Sequence, residues 1–192
     1  MMKHPDSPSP EPSRRRSESE RAVRPRAGRI PDPESAPSIK PDKAGVGVLL
    51  NELLADEFVV YVKTLNYHWN LRGMQFHSLH PFLEKIYQEQ FEAVDDLAER
   101  VRTVGGIALG SMDELLRNAR LKEQTGFPPD PRAMISNLLL DYESILVSLR
   151  TGIAETAGPF DDPGTCNFLT GLLERQEKTA WMLRTHLDKD LG

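Results

Sequence analysis

SLHPFLEKIYQEQFEAVDDLAERVRTV, residues 78–104, is the stretch on which the fold turns. Leu83, Ile86, Tyr87, Val94, Leu97 and Val101 recur along it at three- and four-residue steps, so one side of the segment is apolar and the spacing predicts an amphipathic helix. The Gly105-Gly106 pair behind it is a helix-ending signal. His80, Glu84, Asp95 and Glu99 lie on the same helix at roughly 0°, 40°, 60° and 100° around the axis, and therefore share a face. Within each pair the spacing is i, i+4, which places two side chains one turn apart, as joint ligation of an ion needs. His80 and Glu99 are nevertheless roughly 28 Å apart along the axis, whereas metal–ligand bonds span only about 2.0–2.2 Å. One helix cannot close all four around a single ion. Either there are two half-sites, or a second copy of the chain brings its Asp95 and Glu99 against His80 and Glu84 of the first.

Upstream, a first helix is predicted over about Lys43–Leu71, with Leu50, Leu53, Leu54, Phe58, Tyr61, Val62 and Leu65 as its apolar stripe. It carries His68 and Trp69 near its end, which Gly73 marks, and the second helix begins around Phe76–Leu79. Downstream, Ser111 with Glu114 three residues later forms a capping box, so a short helix fits Ser111–Ala119. Asp130-Pro131 and Asp162-Pro163 each offer an N-cap followed by a proline at the first helical position. The two helices they open carry Ile135, Leu138, Leu139, Tyr142, Ile145, Leu146 and Leu149, then Phe168, Leu169, Leu172, Leu173, Leu183 and Leu187. Four long amphipathic helices without a strand candidate make the expected fold all-α, an antiparallel four-helix bundle. The long stretch between helices two and three, with the short helix inside it, is the single crossover of a ferritin-like connection.

Charge divides the 192-residue chain, whose net charge is −5. Residues 1–43 hold ten Lys/Arg against seven Asp/Glu, together with nine of the 15 prolines. Such a segment lacks the apolar surface to offset its ordering entropy, so residues 1–42 are expected to be a disordered basic tail and 43–192 the folded domain. The body is acidic, which suits a partner of cations, while a basic arm suits a polyanion. The single cysteine, Cys166, excludes an intrachain disulfide and cysteine-rich zinc sites and points to a reducing compartment. No apolar run approaches the roughly 20 residues of a membrane span, and the first residues lack the apolar stretch of a signal peptide. A cytoplasmic location is expected, with nucleoid association if the tail binds DNA.

Each site residue also has a plainer reading. His68 beside Trp69 fits a structural histidine, His80 and Glu84 an exposed helical pair, and Asp95 and Glu99 a solvated face. The sequence contains no Gly-rich phosphate loop, no Gly-x-Ser-x-Gly and no His-Glu-x-x-His. No histidine has Glu three residues before it, which removes the usual metal site inside a helical bundle.

Taken together, Asn66-Tyr67-His68-Trp69-Asn70-Leu71-Arg72-Gly73, Phe76, Leu79-His80, Glu84 and Asp95-Asp96-Leu97-Ala98-Glu99-Arg100 closely resemble the Dps family. These are the DNA-binding proteins from starved cells, or mini-ferritins, and the resemblance covers about residues 43–190. It implies a twelve-subunit hollow shell of tetrahedral symmetry with ferroxidase centres at two-fold interfaces. By position, His68, His80 and the carboxylate at 84 come from one subunit and Asp95 and Glu99 from its partner, with Trp69 beside the centre as a radical interceptor. The family usually has Asp where this chain has Glu84, whose extra methylene can shift the site or change its denticity.

The expected activity is oxidation of Fe(II), two ions per interface centre, with hydrogen peroxide preferred over dioxygen on the strength of the resemblance, and storage of the Fe(III) mineral in the shell. A carboxylate and imidazole site suits Fe(II), with Zn(II) as competitor. Arg14, Arg15, Arg16, Arg21, Arg24, Arg26 and Arg29 of the tail are the candidate DNA contacts. Twelve arms per shell give avidity, and the binding expected of them is sequence-independent and salt-sensitive. The alternative is a nucleoid-compacting protein with a weak or vestigial ferroxidase centre, and Glu84 is the residue that motivates it.

Overall fold

The structure, a computed structural model, describes residues 43–188. Five helices follow one another: α1 (Lys43–Asn70), α2 (Phe76–Thr103), α3 (Met112–Asn118), α4 (Pro131–Ala157) and α5 (Pro163–Leu187). There is no strand among the described residues. The predicted caps form. The Ser111 hydroxyl and Glu114 carboxylate exchange bonds with each other's backbone N–H at the start of α3, while Asp130 accepts from the Ala133 N–H and Asp162 from the Thr165 N–H. Arg100 of α2 adds an ion pair to Asp162 at 3.2 Å, tying the start of α5 to the end of α2.

Cross-helix contacts set the directions. Tyr67 of α1 meets Asn137 of α4, Lys63 meets Asp141 at 2.6 Å, and Leu49 lies against Gly152. Numbers falling on α1 as they rise on α4 mean antiparallel helices. The crossover 104–130 is fastened along α1 in the same progressive way. Asn51 bonds the backbone at Ile107 and Leu109, Asp56 accepts from the N–H groups of Arg120 and Leu121, and Asn66 and Tyr67 bond Gln124. The crossover therefore travels the length of α1, and α4 starts at the end of the bundle opposite the end of α2.

The buried side of α1 differs from the stripe its apolar residues suggest. Val46, Leu50, Leu53, Glu57, Val60, Thr64, Tyr67 and Leu71 face the core at alternating steps of four and three, the spacing of helices packed at a shallow angle. Phe58, Tyr61, Val62 and Leu65 are only half-buried. Polar residues at two core positions, Glu57 and Thr64, break the apolar repeat and shift the apparent stripe around the helix.

Glu57 belongs to a polar layer. Its carboxylate, fully buried, accepts from the amides of Gln90 on α2 at 2.8 Å and Gln176 on α5 at 2.9 Å, and Gln176 also donates to Gln90 at 3.1 Å. Removal from water disfavours the charged carboxyl, and burial pushes it up to about 7 against the pull of the two amides.

Candidate metal centre

Gly73, at φ +102°, lets the chain reverse between α1 and α2, a left-handed conformation that a Cβ would strain. The reversal sets the last turn of α1 beside the first turns of α2, where His68 meets His80. Each imidazole donates from Nδ1 to the other's backbone carbonyl, at 3.1 Å and 3.2 Å. A carbonyl only accepts, so each Nδ1 carries a hydrogen, and in the neutral form of each ring Nε2 keeps the free lone pair with which histidine binds metal. The rings stack 3.8 Å apart at 19°. Phe76 stacks on the far side of His80 at 4.6 Å, and the ring of Tyr87 meets His68 edge-on at 5.1 Å. The imidazoles are thus held between two aromatic side chains.

Glu84 lies one turn beyond His80 on α2, and its Oε1 accepts a long bond from the Tyr87 hydroxyl at 3.5 Å. His68 is buried and His80 and Glu84 are half-buried, whereas Trp69 is 69% exposed. Asp95 and Glu99 are exposed further along α2, and neither makes an ion pair among the described residues. Their neighbours are engaged: Asp96 with Arg175, Arg100 with Asp162.

One chain thus gathers His68, His80 and Glu84 at one end of α2 and leaves Asp95 and Glu99 apart from them. Among the described residues, no group of three or more His, Cys, Asp or Glu side chains closes to metal-holding distance. The tail arginines, Arg14 to Arg29, lie outside the described residues. Phe76 was legible as a helix start and as part of the family motif, and Tyr87 only as a core position. Their spacing, four residues before His80 and three after Glu84, is the signal that relates them to the site.

An all-α bundle with one long crossover, bearing an imidazole–carboxylate half-site on its first helical hairpin, defines the class of the ferritin-like proteins. The ferritin-like domain family matches residues 48–191. Over 146 residues the chain is 44% identical to an uncharacterized low temperature-induced protein of Nostoc sp., covering 76% of this chain and 82% of that protein. It is 36% identical over 141 residues to DNA protection during starvation protein 2 of Bacillus anthracis, covering 73% and 95%. Among solved structures, a Dps protein from Vibrio cholerae O1, described as a ferritin-like diiron-carboxylate protein, superposes with a TM-score of 0.72 at 34% identity, over 76% of this chain and 91% of that one. DpsC from Streptomyces coelicolor gives 0.74 at 32%, over 79% and 89%. The chain belongs to the Dps family of ferritin-like proteins.

Proposed function

We propose that this protein oxidises Fe(II) at dinuclear centres shared between two copies of the chain and stores the Fe(III) product inside a twelve-subunit shell. One observation carries the reading. His68 and His80 are held by reciprocal Nδ1 bonds beside Glu84, yet among the described residues these three do not by themselves close around an ion, so the remaining donors must come from elsewhere. The carboxylates that fit, Asp95 and Glu99, stand exposed about 22 Å along the same helix, counted from His80 to Asp95. Two α2 helices running antiparallel across a two-fold axis bring each set to the other's empty side, and an isologous interface makes two such centres at once. Exposed apolar side chains suit burial at that contact: Trp69, Phe91, Met112 and Leu116.

Fe(II) is the substrate. His68 and His80 contribute neutral nitrogen donors, while Glu84 with the second copy's Asp95 and Glu99 offset the cation charge. Hydrogen peroxide accepts one electron from each of two Fe(II) and, with two protons, becomes two waters. Taking both electrons together avoids a hydroxyl radical. Hydrolysis of the two Fe(III) to oxyhydroxide then releases six protons, a net release of four per pair. Trp69, exposed next to His68, is placed to intercept stray radicals. Zn(II) competes for the same donors, and dioxygen serves as the slower oxidant.

Anaerobic loading with about two Fe(II) per subunit, followed by one peroxide per iron pair, tests the reading through ferric absorbance and proton release. His80→Ala and Asp95→Ala should each remove the fast phase. Mixed assemblies of the two variants should recover part of it, because in a mixed dimer one centre carries both substitutions and the other carries neither. Unchanged oxidation in both single variants overturns the assignment.

A further inference from the structure

We propose that Tyr87 is a positioning residue of the metal centre, holding Glu84 to a single metal-facing oxygen while its ring fixes the plane of His68. The inference rests on the ferroxidase reading and deepens it. Helical side chains tilt toward the N-terminus of their own helix, so a long residue at 87 covers the turn that contains 84. Its hydroxyl accordingly reaches Glu84 Oε1 at 3.5 Å, while the edge of its ring meets His68 at 5.1 Å and 71°. One phenol thereby touches two of the candidate ligands, one on each helix. With Oε1 engaged by the hydroxyl, Oε2 is left for the metal. The longer arm of glutamate is what brings the carboxylate within reach of Tyr87. Glutamate at 84 and tyrosine at 87 therefore work as a unit.

The half-buried setting of both side chains favours such an outer contact, and partners of this kind orient ligands and tune metal affinity.

The test uses the assembled full-length protein titrated anaerobically with Co(II), whose visible absorption reports ligand number and geometry. Tyr87→Phe keeps the ring and removes only the hydroxyl. It should weaken Co(II) binding by roughly 10–100-fold and alter the absorption envelope, with little change in the thermal midpoint. In a Glu84→Asp background the carboxylate falls short of the phenol, so adding Tyr87→Phe should have no further effect. A wild-type affinity and spectrum in Tyr87→Phe, or an equal loss in both backgrounds, overturns the proposal. His80→Ala separates the two levels of inference. If it binds Co(II) like wild type, the metal centre itself is misplaced. If it loses Co(II) while Tyr87→Phe does not, only the role of Tyr87 fails.

Discussion

Glu57 shows how much one residue can weigh. A fully buried carboxyl pushed up from 4.5 to about 7 keeps its proton in the folded bundle over a range where the unfolded chain has lost it. Its contribution to stability is complete below pH 4.5 and is lost as pH rises through 7, because the native state then carries a desolvated charge. That span corresponds to about 3 kcal/mol per subunit. The cluster also has an acceptor to spare, since Gln176 Oε1 is buried without a partner among the described residues, and a protonated Glu57 supplies one more donor. Glu57→Gln replaces the charge with an isosteric neutral group. It should match wild type near pH 4 and exceed it by about 3 kcal/mol at pH 8, read from denaturant midpoints at the two pH values. A gap of the same size at both would mean that Glu57 is not the titrating group.

Among the elements, α1 does two jobs. One side packs into the bundle while Phe58 and Val62 line a small shared pocket with Leu115 and Leu116 of α3. The crossover that carries α3 is irregular backbone, and its polar groups need partners. Asp56 supplies several of them, accepting from the N–H groups of Arg120 and Leu121 at 2.7 Å and 3.1 Å and pairing with the Arg120 guanidinium. Asp56→Ala leaves those donors unmet in a partly covered place, an expected loss of about 1–3 kcal/mol. Amide exchange should accelerate at Arg120 and Leu121 before it does in α4 or α5. Retained protection at those two amides would show that the crossover is held by other contacts.

For the whole molecule the decisive quantity is the number of copies. Under the proposed function, light scattering should give twelve subunits. Replacing Leu116, 44% exposed on α3, by Glu would bury a charge at the two-fold contact and should yield smaller species that have lost the fast iron oxidation. A mass unchanged by Leu116→Glu would place the interface elsewhere. The tail adds a separate expectation. Full-length protein should retard DNA in a sequence-independent way that weakens steeply with salt, whereas protein beginning at Asp42 should not. Equal retardation by both would remove Arg14 to Arg29 from that role and leave iron oxidation untouched.

Much of this was legible in residues alone. Periodicity and capping chemistry are local, so Ser111 with Glu114, Asp130-Pro131 and Asp162-Pro163 located helix starts that the structure has at α3, α4 and α5. The separation of His80 from Asp95 and Glu99 along a single helix likewise followed from rise per residue. What tertiary structure decided was which side chains face one another across helices. It turned the buried side of α1 onto Glu57 and Thr64, joined Glu57 to Gln90 and Gln176 from distant parts of the chain, and set Tyr87 against both His68 and Glu84. The reason is physical. An apolar pattern scores a buried glutamate as surface, because only the partners brought by folding make its burial tolerable. The tautomers of His68 and His80 were equally hidden, since each is dictated by a carbonyl on the other helix.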